Sequence, residues 1–190
     1  MNRPSLVLKW IGSIICCLSL FNAGCAHKIH VAPSPPTVAE TPIPSSVQVI
    51  VPFLALKGAD HMPGIALLQW PAKDLRAAAI GYIQQRRTFD AAGDAPGDLA
   101  LIMKAWLTML SRWEYRYILR LETEIGLADR PAVKSYVVEK EAVGSSVRWI
   151  TASDQDPIAQ VVQTAFDDLF TQIEADYALY RTTKSTEGKN

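Results

Sequence analysis

From Arg112 to Ile125 the chain alternates between apolar and charged residues almost one by one. Trp113, Tyr115, Tyr117, Leu119, Leu121 and Ile125 fall on one side of a period of two. Arg112, Glu114, Arg116, Arg120, Glu122 and Glu124 fall on the other, where Ile118 is the one apolar interruption. A helix repeats near 3.6 residues and cannot sort these two sets. An antiparallel strand with one face packed and one face in water does so directly. Gly126–Pro131 is a turn, and Ala132–Glu141 returns as the partner strand. The apolar run Leu99–Leu110 is ambiguous alone, but beside this pair it reads as the preceding strand of one meander.

The remaining elements arrange themselves around that meander. Val47–Leu56 is apolar on both faces and rich in β-branched residues, as in a buried strand. Pro52 removes a ladder donor and so demands an edge position or a bulge. Lys57–Trp70 reads as a loop. Pro71–Arg87 is helical, with Leu75, Ala78, Ala79, Tyr82 and Ile83 in one stripe and Arg86-Arg87 at the negative end of the dipole. Phe89–Asp98 reads as a turn-rich connector. A second helix starts with Asp156 as N-cap and Pro157 as its first residue. Ile158, Val161, Val162, Ala165, Phe166, Leu169, Phe170, Ile173, Tyr177 and Tyr180 then follow at helical spacing. The expected fold is α/β (α+β): a small mixed sheet of about four strands in β-α-β-β-β-α order, with two amphipathic helices on one face. It occupies residues 47–181, and residues 182–190 form a frayed tail.

Balanced charge, 19 Lys+Arg against 19 Asp+Glu, argues against a nucleic-acid partner, which requires a basic field. With 49% hydrophobic residues the chain is not wholly disordered. The amino terminus is different in kind. Arg3 and Lys9 precede the apolar run Trp10–Phe21, too short to span a bilayer and suited to the core of a signal peptide. Ala23-Gly24-Cys25 then resembles the lipobox of bacterial lipoproteins, with Asn22 standing where an aliphatic residue is usual. That resemblance implies cleavage after residue 24 and acylation of Cys25, with Ala26 matching an outer-membrane sorting pattern. Cys16 and Cys17 would leave with residues 1–24, and no Cys follows Cys25. The mature chain then has one thiol and no internal disulfide. It also has 17 basic residues against 19 acidic ones, so its net charge does not draw it to anionic lipid. Residues 25–46 carry Pro33, Pro35, Pro36, Pro42 and Pro44 and read as an extended tether reaching on the order of 60 Å.

The lipobox, the Pro-rich stretch, the opening strand, the meander and the final helix Asp154–Tyr180 together resemble small α/β domains of bacterial envelope proteins. These are the amino-terminal domain of the Tol–Pal propeller protein, the curli-secretion and Pel export lipoproteins, and auxiliary lipoproteins of ABC-type transport. The resemblance implies a lipid-anchored periplasmic domain at the outer membrane. It would serve as adaptor or accessory subunit of an export or assembly system, with no enzymatic activity. The alternatives are an envelope hydrolase acting on cell-wall polymer and a ring-forming subunit of an export pore.

The candidate chemistry is sparse. His61 beside Asp60 is the one His after residue 47, too few ligands for a zinc site, and no cofactor or metal is expected. Asp167 and Asp168 diverge around a helix and read as a solvated face. Glu122, Glu124, Glu139 and Glu141 share strand faces with arginines, the pattern of cross-strand ion pairs. Gly93 and Gly97 lack the spacing and Lys of a phosphate loop. Two surfaces remain as candidate contacts with an envelope protein or a second copy. One is the apolar loop carrying Ile65, Leu67 and Trp70, which could equally cap the core. The other is the strand face carrying Arg116, Arg120 and Glu122.

Overall fold

The computed structural model describes residues 27–57, 68–111, 115–127, 132–144 and 155–181. Five strands form the main sheet, in the order β4-β2-β5-β6-β7: β2 (Ile43–Lys57), β4 (Phe89–Gly93), β5 (Leu99–Ser111), β6 (Tyr115–Leu127) and β7 (Ala132–Gly144). β2 runs parallel to both its neighbours, while β5, β6 and β7 make the antiparallel meander that the alternation predicts. Two short strands, β1 (His27–Lys28) and β3 (Leu68–Gln69), pair in parallel outside it. The helices are α1 (Ala72–Arg86), α2 (Gln155–Ala175) and α3 (Tyr177–Arg181).

The sheet has one more strand than expected. Phe89–Gly93, read from sequence as connector, is a five-residue edge strand beside the first half of β2. Two alanines and a glycine give it no period to read. Residues 94–98 then carry the chain across β2, on the side that Ser46 and Gln48 present, to begin β5 on the other flank. Ser46 donates from its backbone N–H and its Oγ to the Asp98 carboxylate, both at 2.8 Å, and Gln48 Nε2 donates to the Asp94 carbonyl at 2.9 Å. A Cβ on Gly97 would sit 3.0 Å from the Ser46 carbonyl oxygen and 3.1 Å from the Gln48 nitrogen. Both are backbone atoms within a paired strand and cannot give way. Gly97→Ala is therefore expected to cost about 1–3 kcal/mol as overpacking, read as a lowered urea midpoint with unchanged slope.

Pro52 meets both of the conditions its chemistry imposes. The β2–β5 register shifts by one residue between Ile50 and Phe53, a bulge, and β4 pairs only as far as Gln48. Past the bulge the parity inverts. Ile43, Val47 and Val49 are buried on the helix side before it, and Leu54 and Leu56 pack against the core after it.

The two long helices, α1 and α2, lie on one face of the sheet. Leu75, Ala79, Tyr82 and Ile83 of α1 and the stripe Ile158, Val161, Val162, Ala165, Phe166, Leu169, Phe170 and Ile173 of α2 are buried in one core with Leu101, Met103, Ala105, Leu119, Leu121 and Val138. The two helices are also tied by polar groups that the periodicity does not show. Arg86 turns inward rather than toward solvent and is 5% exposed; its Nε and Nη2 donate to the Glu174 carboxylate at 2.7 and 2.9 Å. Thr88 Oγ1 donates to the same carboxylate at 2.8 Å. Asp167, expected on a solvated face, accepts hydrogen bonds from Tyr82 and from Gln163. Asp168 pairs with Lys140 at 2.6 Å, and Asp176 accepts from Lys134 and from Tyr136. Edge strand β7 is thus stitched to α2 and to the turn after it by lysines on its covered side.

The segment before β2 also departs from its reading. From His27 onward it lies along α1 rather than standing clear as a tether. Ile29, Pro33 and Ala39 are buried. The Ala39 N–H donates to the Arg86 carbonyl at 2.7 Å, and the Ser34 N–H to Gln163 Oε1 at 2.8 Å. The residues are polar and Pro-rich as read, but hydrogen bonds to the last carbonyl of α1 and to a side chain of α2 replace those that water would make.

Burial raises the pKa of the Tyr82, Tyr136 and Tyr180 hydroxyls above the ordinary tyrosine value, reinforced by Asp167 at Tyr82 and by Tyr180 and Asp176 at Tyr136. A folded value above the unfolded one means that the folded state keeps its proton longer. That stabilisation is whole below about pH 10 and shrinks as the pH rises beyond it. Asp168 and Asp176 are displaced the other way, held low by Lys140 and Gln172 and by Lys134 and Tyr136. Their contribution is present above about pH 4 and is lost as the pH falls through the lowered values. Thermal midpoints should therefore be flat across neutral pH and fall steeply above pH ~10. Tyr82→Phe should flatten part of that alkaline fall, and a midpoint unchanged up to pH ~12 would contradict the assignment.

Candidate interaction surface

The face of the sheet opposite the helices is uncovered among the described residues, and its layout follows from the register. At one level Ala55, Trp106, Arg120 and Glu139 stand side by side on β2, β5, β6 and β7; at the next stand Phe53, Lys104, Glu122 and Val137. Arg120 reaches Glu122 at 2.8 Å and Glu139 at 3.7 Å, Arg116 reaches Glu141 at 3.2 Å, and Lys104 reaches Glu124 at 3.9 Å. Three of these cross between strands, as the alternation implies, and Arg120–Glu122 runs along β6 itself. All are solvent-facing and screened by water, so they order the face more than they stabilise the fold. The hydrogen bonds and charge of Glu122 hold the Arg120 guanidinium above its usual value, so it stays cationic.

Apolar groups lie among these charges. Val137 is 55% exposed, Val143 54%, Leu110 45% and Phe53 43%, and the Phe53 ring tilts against Trp106 at 5.3 Å between centroids. Phe53 reaches this face because the bulge at Pro52 inverts the alternation of β2, which no count of periods would anticipate. Val137 and Val143 come from the alternation of β7, whose outward side is as apolar as it is charged. Of the expected contact residues, the structure brings together Arg116, Arg120 and Glu122 and adds Phe53, Trp106, Val137 and Val143.

Trp70 is a correction. It is 4% exposed and belongs to the core beside α1, so it is not a surface contact; the capping alternative describes it. Its position follows from β3, which pairs with β1 and draws the following residue under the helix. Cys25, Asp60, His61, Ile65 and Leu67 lie outside the described residues. Among the described residues no group of three or more His, Cys, Asp or Glu is placed to hold a metal ion, and no helix is long and apolar enough to cross a membrane.

This architecture, two helices laid on one side of a mixed sheet, has a counterpart of known structure. The crystal structure of a Xanthomonas campestris protein of the DUF330 family superposes with a TM-score of 0.56 at 14% identity, covering 80% of this chain and 98% of that one. The two share a fold. A candidate lipoprotein from Caulobacter crescentus (TM-score 0.43, 12% identity, 65% of this chain and 90% of that one) is similar more loosely. So is a minor lipoprotein from Acinetobacter baumannii (TM-score 0.35, 14% identity, 66% and 91%). No family model matches the sequence, and neither does any curated protein. A likeness at this identity speaks for the fold alone.

Proposed function

We propose that this protein is a lipid-anchored envelope lipoprotein, held at the outer membrane through Cys25, whose periplasmic domain acts as a non-enzymatic adaptor. It would present its open sheet face to a component of an export or assembly system. The observation that carries the reading is the one-sidedness of the sheet. Both helices cover one face, while the other keeps four large apolar side chains more than two-fifths exposed among ordered ion pairs. Aromatic and β-branched groups rimmed by arginines suit a protein contact. An acyl anchor confines the domain near its partner and raises effective concentration, so modest contacts suffice. The narrower likeness to Tol–Pal, curli, Pel and ABC-transport lipoproteins belongs to this proposal. The hydrolase alternative finds less support. The carboxylates that the sequence places near one another are held by Arg116, Arg120, Lys104, Lys140 or Tyr82 rather than facing each other across a cleft.

Photocrosslinkers placed in intact cells test it. A crosslinker at Val137 or Val143 should give a discrete adduct with an envelope protein, and one at Ala77, exposed on α1, should not. Val137→Arg should abolish the adduct while changing stability by no more than about 0.5 kcal/mol. Adducts independent of position, or none from the sheet face, would remove the adaptor reading. An adduct with a second copy, together with an oligomeric mass in size exclusion, would favour the ring-forming alternative.

A further inference from the structure

We infer that the domain is clamped against the bilayer by its β1–β3 end, with a lipid surface as the partner of that end; the inference rests on acylation of Cys25. One residue, Ala26, separates Cys25 from His27, where strand pairing begins. An extended chain spans at most about 3.6 Å per residue, so His27 lies within about 7 Å of Cys25. No slack follows. His27 and Lys28 pair with Leu68 and Gln69, the Ile29 N–H donates to the Gln69 carbonyl at 2.8 Å, and the Ile29 side chain is buried. Farther on, Ser34, Ala39 and Ile43 are bonded to Gln163, Arg86 and Thr88. Proline-rich sequence that could reach tens of ångströms if free is used to run alongside α1. With acyl chains in the hydrocarbon, β1 and β3 stand on the order of 10 Å from the headgroups.

Two lysines stand at that end, with Asp74 beside the second. Lys28 is exposed on β1, and Lys73 is exposed in the first turn of α1. A cation is attracted to an anionic leaflet only within a Debye length, so these two act only if the domain sits close. α1 then carries the chain away: fifteen residues at 1.5 Å each place its far end and β4 about 22 Å along. A partner would therefore be met at the membrane surface, not across the periplasm.

The lipid-modified protein can be tested in vesicles of phosphatidylethanolamine and phosphatidylglycerol carrying headgroup spin labels. Since no Cys follows Cys25, Gln69→Cys and Asp90→Cys each provide one attachment point for a fluorophore at an exposed position. Quenching should be several-fold greater at 69 than at 90, and His30→Cys, at a second exposed near position, should behave like 69. Inserting twelve Gly/Ser residues between Ala26 and His27 should bring position 69 down to the level of position 90 while the protein still floats with the vesicles. Equal quenching at the near and far positions in the uninserted protein overturns the clamp alone. Failure to float at all overturns acylation, and the clamp with it.

Discussion

Glu174→Ala is expected to lower stability by about 3–5 kcal/mol, a fall of roughly 10–20 °C in thermal midpoint for a domain of this size. Glu174 receives two donors from Arg86 and one from Thr88 at 2.7 to 2.9 Å, with the two charged side chains 7% and 18% exposed. Truncating the carboxylate leaves a guanidinium out of water with its main counter-charge gone. Breaking such a pair costs far more than the pair contributes. Replacing both partners with apolar residues, Arg86→Met with Glu174→Leu, should recover much of the loss, because no buried charge is then stranded. If the double variant is as unstable as the single, the site matters for packing rather than charge.

Phe166→Ala should cost a similar 3–5 kcal/mol by a different route. Phe166 is fully buried at the junction of α1 and α2. Its ring meets Tyr82 edge-on at 5.4 Å and Phe170 edge-on at 5.8 Å, while Tyr82 stacks on Phe170 at 5.3 Å. Truncation removes one member of a three-ring cluster and leaves a cavity that two rigid neighbours cannot fill. Phe166→Leu should cost clearly less. Both are measured by chemical denaturation, and a loss below about 1 kcal/mol for the alanine variant would show that the helices close over the gap.

Those two sites mark where sequence and fold part company. The β6 alternation specifies its own pairing: every charged residue faces out, every aromatic described there faces the helices or is half-covered, and the meander follows. The final helix is legible for the same reason, an apolar stripe sustained from Ile158 to Ile173. What is not legible depends on partners distant in sequence. Arg86 reads as a cation at the negative end of a helix dipole, and Glu174 stands outside the apolar stripe of its helix, so their pairing shows only when α1 and α2 are laid side by side. β4 is too short and too rich in small residues to show a period, and exists because β2 offers a parallel edge. The segment from Ile29 to Ala39 is polar and Pro-rich by composition, and its order comes from distant acceptors: the Gln69 carbonyl of β3, the Gln163 side chain of α2 and the Arg86 carbonyl of α1. The candidate surface is divided in the same way. Arg116, Arg120 and Glu122 are visible in the alternation, whereas Phe53 joins them only through the bulge at Pro52, and Trp70 leaves them because β3 pulls it inside.

Proximity to lipid governs the rest of the account, and it comes down to one sulfur atom. Cells grown with labelled palmitate should incorporate it into the wild-type protein, which should fractionate with the outer membrane. Cys25→Ser should carry no label and be released as a soluble periplasmic domain with an unchanged thermal midpoint. A serine variant that stays as firmly in the membrane fraction, or a wild-type protein that takes up no label, would contradict it.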